Sequence, residues 1–436
     1  MSALRSSPIA DAERAGVLDA LRGFALLGIF LSHVPGFSEI EFMTPKEQAT
    51  LDWLGVDGPL SAVLEFLIRG KFYSLFSLLF GIGFAVQFES AARRGAVFAQ
   101  HFGRRLAVLF VIGMAHASLW YGDILKDYAL IGFALIISAP WNAVSVARAA
   151  VIVLIFGLVW PVLVAGLVSI FAPLPSGEDP GGSFFALTRA FGGTNLHDIF
   201  VANLALVRLK ALQMIYEGKA ISILAMFLVG ALVGKLQLFR DLSAHGGLFR
   251  KVFWICTPIG VIGNAVLVPL HHATRDYPPT LIWVIEESLF AVAVPAMTLA
   301  YAAGFALLWS HGWQRVLQRL APAGRMALTT YVSQTLIGIA LFYGIGLGLR
   351  GSIGFAEGTV MAIAIFAGQC ALSAFWLRTF RFGPPGMGLA PRDIRHADCN
   401  PSPRRKGTGP PGRPGSSPRN PPAALTFDPF GQIFLS

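Results

Sequence analysis

Two side chains in the first long apolar segment, Arg22 and His33, have the types and spacing to carry chemistry. They lie in LDALRGFALLGIFLSHVPGF with ten residues between them. On a continuous helix this spacing is about 16 Å along the axis. An arginine binds anionic groups, and a histidine can serve as a general base. The pair therefore predicts anion binding near one membrane boundary and proton transfer near the other.

A second histidine lies beside carboxylates in the third apolar segment. The stretch GMAHASLWYGDILKDYALIG places His116 and Asp123 toward the same end as His33. A neighbouring carboxylate orients an imidazole and raises its basicity, so these two residues are predicted to assist a catalytic base at His33. The alternative is that Asp123 and Asp127 are carboxylates solvated in a loop.

The first segment also has an interpretation without catalysis. Arg22 would extend to the cytoplasmic headgroups and pair with Asp19, three residues earlier. His33 would then only cap the helix before Pro35.

Other polar residues at the edges of apolar segments are candidates for substrate binding, because polar groups are costly inside a bilayer. Lys71 and Tyr73 are predicted to lie near the outer boundary. Glu286 lies early in its segment, after an outer loop, and Tyr331 and Gln334 lie within a few turns of the inner boundary. The alternatives are snorkelling of Arg69 and Lys71 and hydrogen bonds between helices. No metal site is expected, since the three cysteines lack metal-ligand spacing.

The elements that position these residues must be membrane helices. The chain has 436 residues, of which 55% are hydrophobic and 13% charged, and its mean hydropathy is +0.63. This leaves too little polar surface for a soluble protein of this size. The net charge of +10 comes from short clusters between apolar runs, so no nucleic-acid partner is expected.

The fold class predicted is all-α, a polytopic bundle of about ten transmembrane helices. The first run lacks a small-residue cleavage site and is predicted to be a retained helix. The fourth run is short. The ten runs are 17–36, 62–88, 103–121, 127–141, 146–171, 217–238, 252–271, 281–309, 325–349 and 357–378.

The distribution of basic residues predicts that both ends of the chain face the cytoplasm. With this orientation, the inner side holds sixteen lysines and arginines and the outer side at most ten. An excess of basic residues in cytoplasmic loops is typical of membrane proteins.

Three regions follow from this organisation: a cytoplasmic N-terminal segment 1–16, a bundle 17–382 and a tail 383–436. The bundle includes a long outer connection at 172–216, which contains HDIFVANLALVRLKALQMIY. Its periodicity indicates either an interfacial helix on the outer leaflet or a short helix packed over the bundle. Twelve of the 27 prolines follow Gly383, so the tail is predicted to be disordered.

Several segments together resemble the YeiB-like family of bacterial membrane proteins, a domain of unknown function. They are LDALRGFALLGIFLSHVPGF, KFYSLFSLLFGIGFAVQ, RRLAVLFVIGMAHASLWYGDIL, GRMALTTYVSQTLIG and FRFGP, which lie in this order and extend over most of 17–384. The family is more remotely similar to transmembrane acyltransferases, including sugar O-acyltransferases and heparan-glucosaminide N-acetyltransferase. Those O-acyltransferases carry an Arg or Lys followed after ten residues by His in their first helix, which Arg22 and His33 match.

The resemblance implies an acyltransferase of the bacterial inner membrane. Acetyl-CoA or another acyl-CoA would be the cytoplasmic donor, with Arg22 at its phosphates. The acceptor at the outer face would be a hydroxyl or amine of a small molecule, sugar or lipid. Membrane lipids are further partners, and a homodimer is one expected assembly. The competing hypotheses are a multi-pass transporter without bond chemistry and an accessory membrane subunit.

This chain departs from the family pattern at two places. Many YeiB-like sequences carry Asn at the position of His33, so the family need not share one activity. After FGP the family continues with a tryptophan-containing segment, whereas this chain continues PPGMGLAPRD. That break resembles a shift of reading frame, and it predicts that 385–436 is not a genuine part of the fold.

Overall fold

The computed structural model describes residues 8–52, 54–93, 97–171, 186–274 and 280–380. Within these ranges the regular structure is helical and no strand occurs, which confirms the all-α fold. The main helices are α1 (Pro8–Ser38), α2 (Pro45–Leu51), α3 (Asp57–Ile68), α4 (Lys71–Arg93), α5 (Phe98–Ala117), α6 (Leu125–Ile136), α7 (Ala143–Phe171), α8 (Leu196–Tyr216), α9 (Lys219–Lys235), α10 (Gly246–Thr274), α11 (Leu281–Leu308), α12 (Gln314–Leu317), α13 (Ala321–Arg325), α14 (Ala327–Phe342) and α15 (Phe355–Trp376).

Within the described residues, seven helical stretches are long and apolar enough to cross a membrane, so the chain is a multi-pass membrane protein. They are Gly16–Ser38, Asp57–Arg93, Ala143–Ile170, Leu196–Tyr216, Gly246–His272, Leu281–Arg325 and Phe355–Trp376. Helix α9 has 17 residues and α14 has 16, which is short for a span of about 20 residues. The number ten and the orientation of the ends stay predictions.

Three predicted segments differ in detail from the helices observed. The run 62–88 is broken at Gly70, whose φ of +81° lies in the left-handed region that glycine tolerates. The run 325–349 ends as a helix at Phe342 and continues in turns. Within the predicted outer connection, α8 is helical as expected and is itself one of the seven candidate spans. The tail 383–436 and the first part of that connection, 172–185, lie outside the described residues.

Glycines allow a close helix crossing between α4 and α9. A Cβ atom on Gly81 would collide with the carbonyl oxygen of Phe227, and one on Gly230 would collide with the carbonyl oxygen of Leu78. Because each glycine faces the backbone of the other helix, the two helices are in direct main-chain contact.

The end of α1 that carries His33 is fixed by the chain that follows α14. Helix α1 continues through Pro35 to Ser38, and so His33 does not cap it. Arg350 donates from Nη1 to the carbonyl oxygens of Gly36 and Phe37, at 3.3 Å each. These bonds satisfy carbonyl groups that a helix end leaves without partners.

Candidate active site

The turn between α5 and α6 brings a histidine and an aspartate together. Gly113, one turn before the end of α5, lies against the backbone of Lys126, where a Cβ atom would collide with the main-chain nitrogen. Glycine therefore lets the two helices approach at backbone distance. The connection is tight, and it folds Asp123 back onto His116.

His116 and Asp123 form a buried hydrogen-bonded pair. His116 Nδ1 lies 2.7 Å from Asp123 Oδ1, and the two residues are 3% and 4% exposed. An ionised carboxylate only accepts hydrogen bonds, so Nδ1 is the donor in this pair, and in the neutral imidazole Nε2 then keeps a lone pair. Nε2 is buried, and no residue that the structure describes bonds to it. The pair thus presents one unused basic nitrogen.

Lys126 and Asp127 surround this pair with compensating charge. Lys126 Nζ lies 2.9 Å from Asp127 Oδ2 and 2.9 Å from the carbonyl oxygen of Asp123. The Lys126 main-chain nitrogen donates to Asp123 Oδ2 at 3.0 Å. Asp123 and Asp127 are only 4% and 9% exposed, so the interpretation of them as solvated loop carboxylates is wrong. Their burial leaves Asp123 available to orient His116.

Tyr331 of α14 lies between the two histidines. Its ring centroid is 5.1 Å from that of His116 and 6.1 Å from that of His33. Its hydroxyl oxygen accepts from the main-chain nitrogen of Ile124 at 3.4 Å. The structure therefore brings His33, His116, Asp123 and Tyr331 into one group, which we name the histidine site.

Aromatic side chains form one wall of the histidine site. Trp120 stacks on Phe37 of α1 with ring centroids 3.8 Å apart, and its ring centroid is 6.1 Å from that of His33. Trp120 is 2% exposed, and its indole nitrogen has no hydrogen-bond partner within the described ranges. A polar ligand beside His33 would find both this donor and the free nitrogen of His116.

Asn203 of α8 holds the turn that carries this wall. Its Oδ1 accepts from the main-chain nitrogen of Tyr121 at 3.0 Å, and its Nδ2 donates to the carbonyl oxygen of Leu119 at 3.2 Å. Lys210, two turns further along α8, lies 5.9 Å from the centroid of the Tyr121 ring. The sequence analysis did not identify Asn203, although an asparagine within an apolar helix is a usable signal.

Arg22 lies elsewhere on α1. Its Nη1 is 2.6 Å from Asp19 Oδ1, and the residue is 1% exposed. The predicted pairing with Asp19 is confirmed, but the side chain is buried in the bundle and does not extend to the headgroups.

Lys71 and Glu286 belong to a second polar group, centred on Arg69. Glu286 Oε1 lies 3.2 Å from Arg69 Nη2 and 2.9 Å from His271 Nδ1. Lys71 is 2% exposed, and its Nζ donates to the carbonyl oxygen of Glu65 at 3.2 Å. Arg69 also lies 3.7 Å from Glu65 Oε1. Arg69 therefore forms ion pairs between helices, and snorkelling to the headgroups alone does not describe it. We name this set the arginine cluster.

The two remaining candidates make contacts between helices. Gln334 donates from Nε2 to Gln369 Oε1 on α15 at 3.2 Å, one turn beyond Tyr331. The carbonyl oxygen of Tyr73 accepts from the hydroxyl of Tyr128 at 2.5 Å. Among the residues described, no group of three or more His, Cys, Asp or Glu side chains is arranged to hold a metal ion.

Known relatives match most of this chain, and a family model matches part of it. A family model described as "Protein of unknown function (DUF418)" matches residues 233–386. The uncharacterized protein YxaH of Bacillus subtilis (strain 168) is 32% identical over 407 residues, which are 88% of this chain and 94% of YxaH. The uncharacterized protein YeiB of Escherichia coli (strain K12) is 28% identical over 402 residues, 85% of this chain and 94% of YeiB.

A third relative gives the same picture. An uncharacterized 39.9 kDa protein in the amylase 3′ region of Bacillus acidopullulyticus is 28% identical over 390 residues, 86% of this chain and 93% of the relative. No solved structure matches this chain.

Proposed function

This chain belongs to the YeiB-like, DUF418 family of membrane proteins, and on that premise we propose that it is an acyltransferase of the bacterial inner membrane. It would move an acyl group from a cytoplasmic acyl-CoA, with acetyl-CoA as the first candidate, to a hydroxyl or amine at the outer face. The acceptor would be a small molecule, a sugar or a lipid. The protein would act alone or as a homodimer, without a metal ion.

The observation that carries the proposal is the His116–Asp123 pair with its free Nε2. A histidine oriented by a carboxylate is the usual general base for activating a hydroxyl or amine. Burial beside apolar aromatic groups keeps bulk water from competing with the acceptor. These features would favour transfer to the acceptor over hydrolysis of the thioester.

The proposed reaction is direct transfer in one site. His116 Nε2 takes the proton from the acceptor as its oxygen or nitrogen attacks the thioester carbonyl. The bond from carbonyl carbon to sulfur breaks, and the proton is delivered to the leaving thiolate. His33 and Trp120, whose ring centroids are 6.1 Å apart, would bind the polar groups of the reactants. Compared with the roles expected from sequence, the geometry favours His116 as the base and His33 as its neighbour.

The other candidates take supporting roles. Tyr331 would position the two imidazoles, because its ring touches both. Gln334 would support Tyr331 through its bond to α15. Arg22 would remain the contact for the donor phosphates, reached from the end of α1 opposite to the histidine site. Lys71, Tyr73 and Glu286 would not contact the reactants of this transfer, because their contacts lie in other parts of the bundle.

The arginine cluster favours a second candidate function, transport without bond chemistry. Buried charges between membrane helices are typical of proton and solute pathways. In this reading Arg69, Glu286 and His271 would line the path. The two functions differ in their product, since only the transferase forms a new acylated compound.

A turnover assay separates them. Purified full-length protein in nanodiscs is supplied with acetyl-CoA and a panel of sugars, amines and lipid hydroxyls, and the released thiol and acylated product are measured together. Thiol release that depends on one acceptor class, with matching product, supports the transferase. Uptake of a solute into vesicles with no thiol release from any acceptor would overturn it in favour of transport.

A further inference from the structure

Another contact in the bundle contains buried donors without acceptors, at the end predicted to face the cytoplasm. Gln87 on α4 is 8% exposed, and its Oε1 accepts from Nη1 of Arg105 on α5. Gln87 Nε2 and Arg105 Nη2 are both buried and bond to nothing in the part of the chain described. Both atoms carry N–H groups, so the contact offers hydrogen bonds in one direction only.

The two donors lie close together because their side chains bond to each other. An oxygen-rich anion that bridges them would satisfy both at once. A guanidinium stays charged under all conditions in proteins, and within the described residues no carboxylate forms an ion pair with Arg105. The contact therefore lacks a negative charge as well as an acceptor.

The carboxylate of Glu89, two residues further along α4, already has partners. Glu89 Oε1 lies 3.0 Å from Arg93 Nη1 and accepts from Gln237 Nε2 at 2.8 Å. Arg240 in turn donates to Gln237 Oε1 at 2.7 Å. Glu89 is thus engaged by Arg93 and Gln237, and the acceptor for the two free donors must come from outside the part of the chain described.

We propose that Gln87 and Arg105 form a binding site for a phosphate group. Arginine binds phosphate through its planar fork of N–H donors, and the amide of Gln87 adds a further donor beside it. An anionic lipid headgroup and a soluble phosphorylated compound share this chemistry. The site does not depend on the acyl transfer proposed above, and nothing in its test measures that reaction.

The experiment measures binding to the purified full-length protein in two arms. In the soluble arm, pyrophosphate and CoA are titrated by calorimetry in detergent. In the lipid arm, nanodiscs of phosphatidylglycerol or phosphatidylcholine are compared by the lipid retained in native mass spectrometry. Arg105→Gln should lower the affinity for the probe that binds by about 10-fold or more, which is the scale of a lost charge-assisted hydrogen bond. Arg104→Gln, an exposed arginine beside it, is the matched control and should change affinity by about 2-fold at most.

A second variant distinguishes the loss of anion binding at this site from a loss of binding caused by misfolding. Gln87→Glu gives Arg105 an internal carboxylate partner, so the fold should survive while the anion is excluded. The proposal is supported if the unmodified protein binds a probe and both Gln87→Glu and Arg105→Gln lose that binding. The arm in which this occurs shows whether the phosphate belongs to a lipid or to a soluble compound. If no probe binds, or if Arg104→Gln weakens binding as much as Arg105→Gln, the proposal is overturned.

Discussion

The histidine site and the arginine cluster use their polar groups in opposite ways. In the cluster, Arg69 contacts both Glu65 and Glu286, and each carboxylate also contacts a histidine, His272 at 3.5 Å and His271 at 2.9 Å. In the histidine site, by contrast, the basic nitrogen of His116 has no partner among the described residues. Paired charges hold helices together, whereas a buried atom without a partner lowers stability and is retained for ligands.

The largest effect is expected when the basic nitrogen of His116 is removed. His116→Gln keeps a side-chain donor for Asp123 but cannot accept a proton, so acyl transfer should fall about 100-fold or more. Thiol release at saturating donor measures this loss, and a thermal melt checks that the fold is intact. His33→Ala is the companion variant and should lose less. If His33→Ala is inactive while His116→Gln keeps normal turnover, the two histidines exchange roles.

The cluster should respond in the opposite sense, with a loss of stability and no loss of chemistry. Glu286→Ala removes a carboxylate from Arg69 and His271 and should lower the free energy of unfolding by about 2 kcal/mol, a value reduced because Arg69 is partly exposed. Turnover per folded molecule should stay unchanged. Asp198→Ala breaks an exposed carboxylate–histidine pair and serves as the control with little effect. Loss of turnover in well-folded Glu286→Ala protein would instead place Glu286 in the substrate site.

A third variant tests whether the histidine site depends on its support from α8. Asn203→Leu removes the hydrogen bonds that Asn203 makes to the Tyr121 nitrogen and the Leu119 carbonyl oxygen, which should cost about 1–2 kcal/mol of stability. Transfer should also fall, though less than in His116→Gln, because the turn bearing Trp120 loosens. Asn264→Leu is the matched control, since Asn264 makes two similar bonds to Gly260 and Ala293 away from that turn. Equal effects of both variants on turnover would contradict a special role of Asn203.

The smallest effect is expected at the N-terminus of α2, which lies outside both groups. Thr44 and Glu47 form a capping box there, and hydrogen bonds from Thr44 lower the pKa of Glu47. Because the pKa is lowered, the ionised carboxylate of Glu47 stabilises α2 at pH values above this pKa. The stabilisation is lost as the pH falls through the pKa. Thr44→Ala should speed hydrogen exchange in the first turn of α2 at neutral pH and leave transfer unchanged. No difference in exchange between the two proteins would show that the cap is idle.

The sequence predicted the helical fold and the His116–Asp123 pair well, because both depend on local spacing. Six residues lie between His116 and Asp123 across one tight turn, and apolar length alone indicates membrane helices. The alternative of solvated carboxylates failed because hydropathy ignores the charge balance that Lys126 provides.

The sequence did not predict that Tyr331 lies beside the histidines, because it placed Tyr331 and His33 near opposite boundaries of the bilayer. In the structure α13 packs against the middle of α1, where Gly324 contacts the carbonyl oxygen of Asp19. Helix α14 therefore starts part of the way along α1, and Tyr331 reaches the histidines. The contact of Asn203 with Tyr121 spans 82 positions, and no local pattern encodes a contact of that range.

The glycine crossing of α4 and α9 also bears on motion. At Gly81 and Gly230 the two backbones touch without intervening side chains, so neither helix can slide past the other by exchanging rotamers. The two helices are expected to move as one rigid body during any cycle that exposes the interior to alternate sides. Opening must then occur elsewhere, and the α5–α6 hairpin is the element whose swing would uncover the two imidazoles. A crosslink that joins α4 to α9 should therefore be tolerated during turnover, whereas one that joins the hairpin to α14 should stop it.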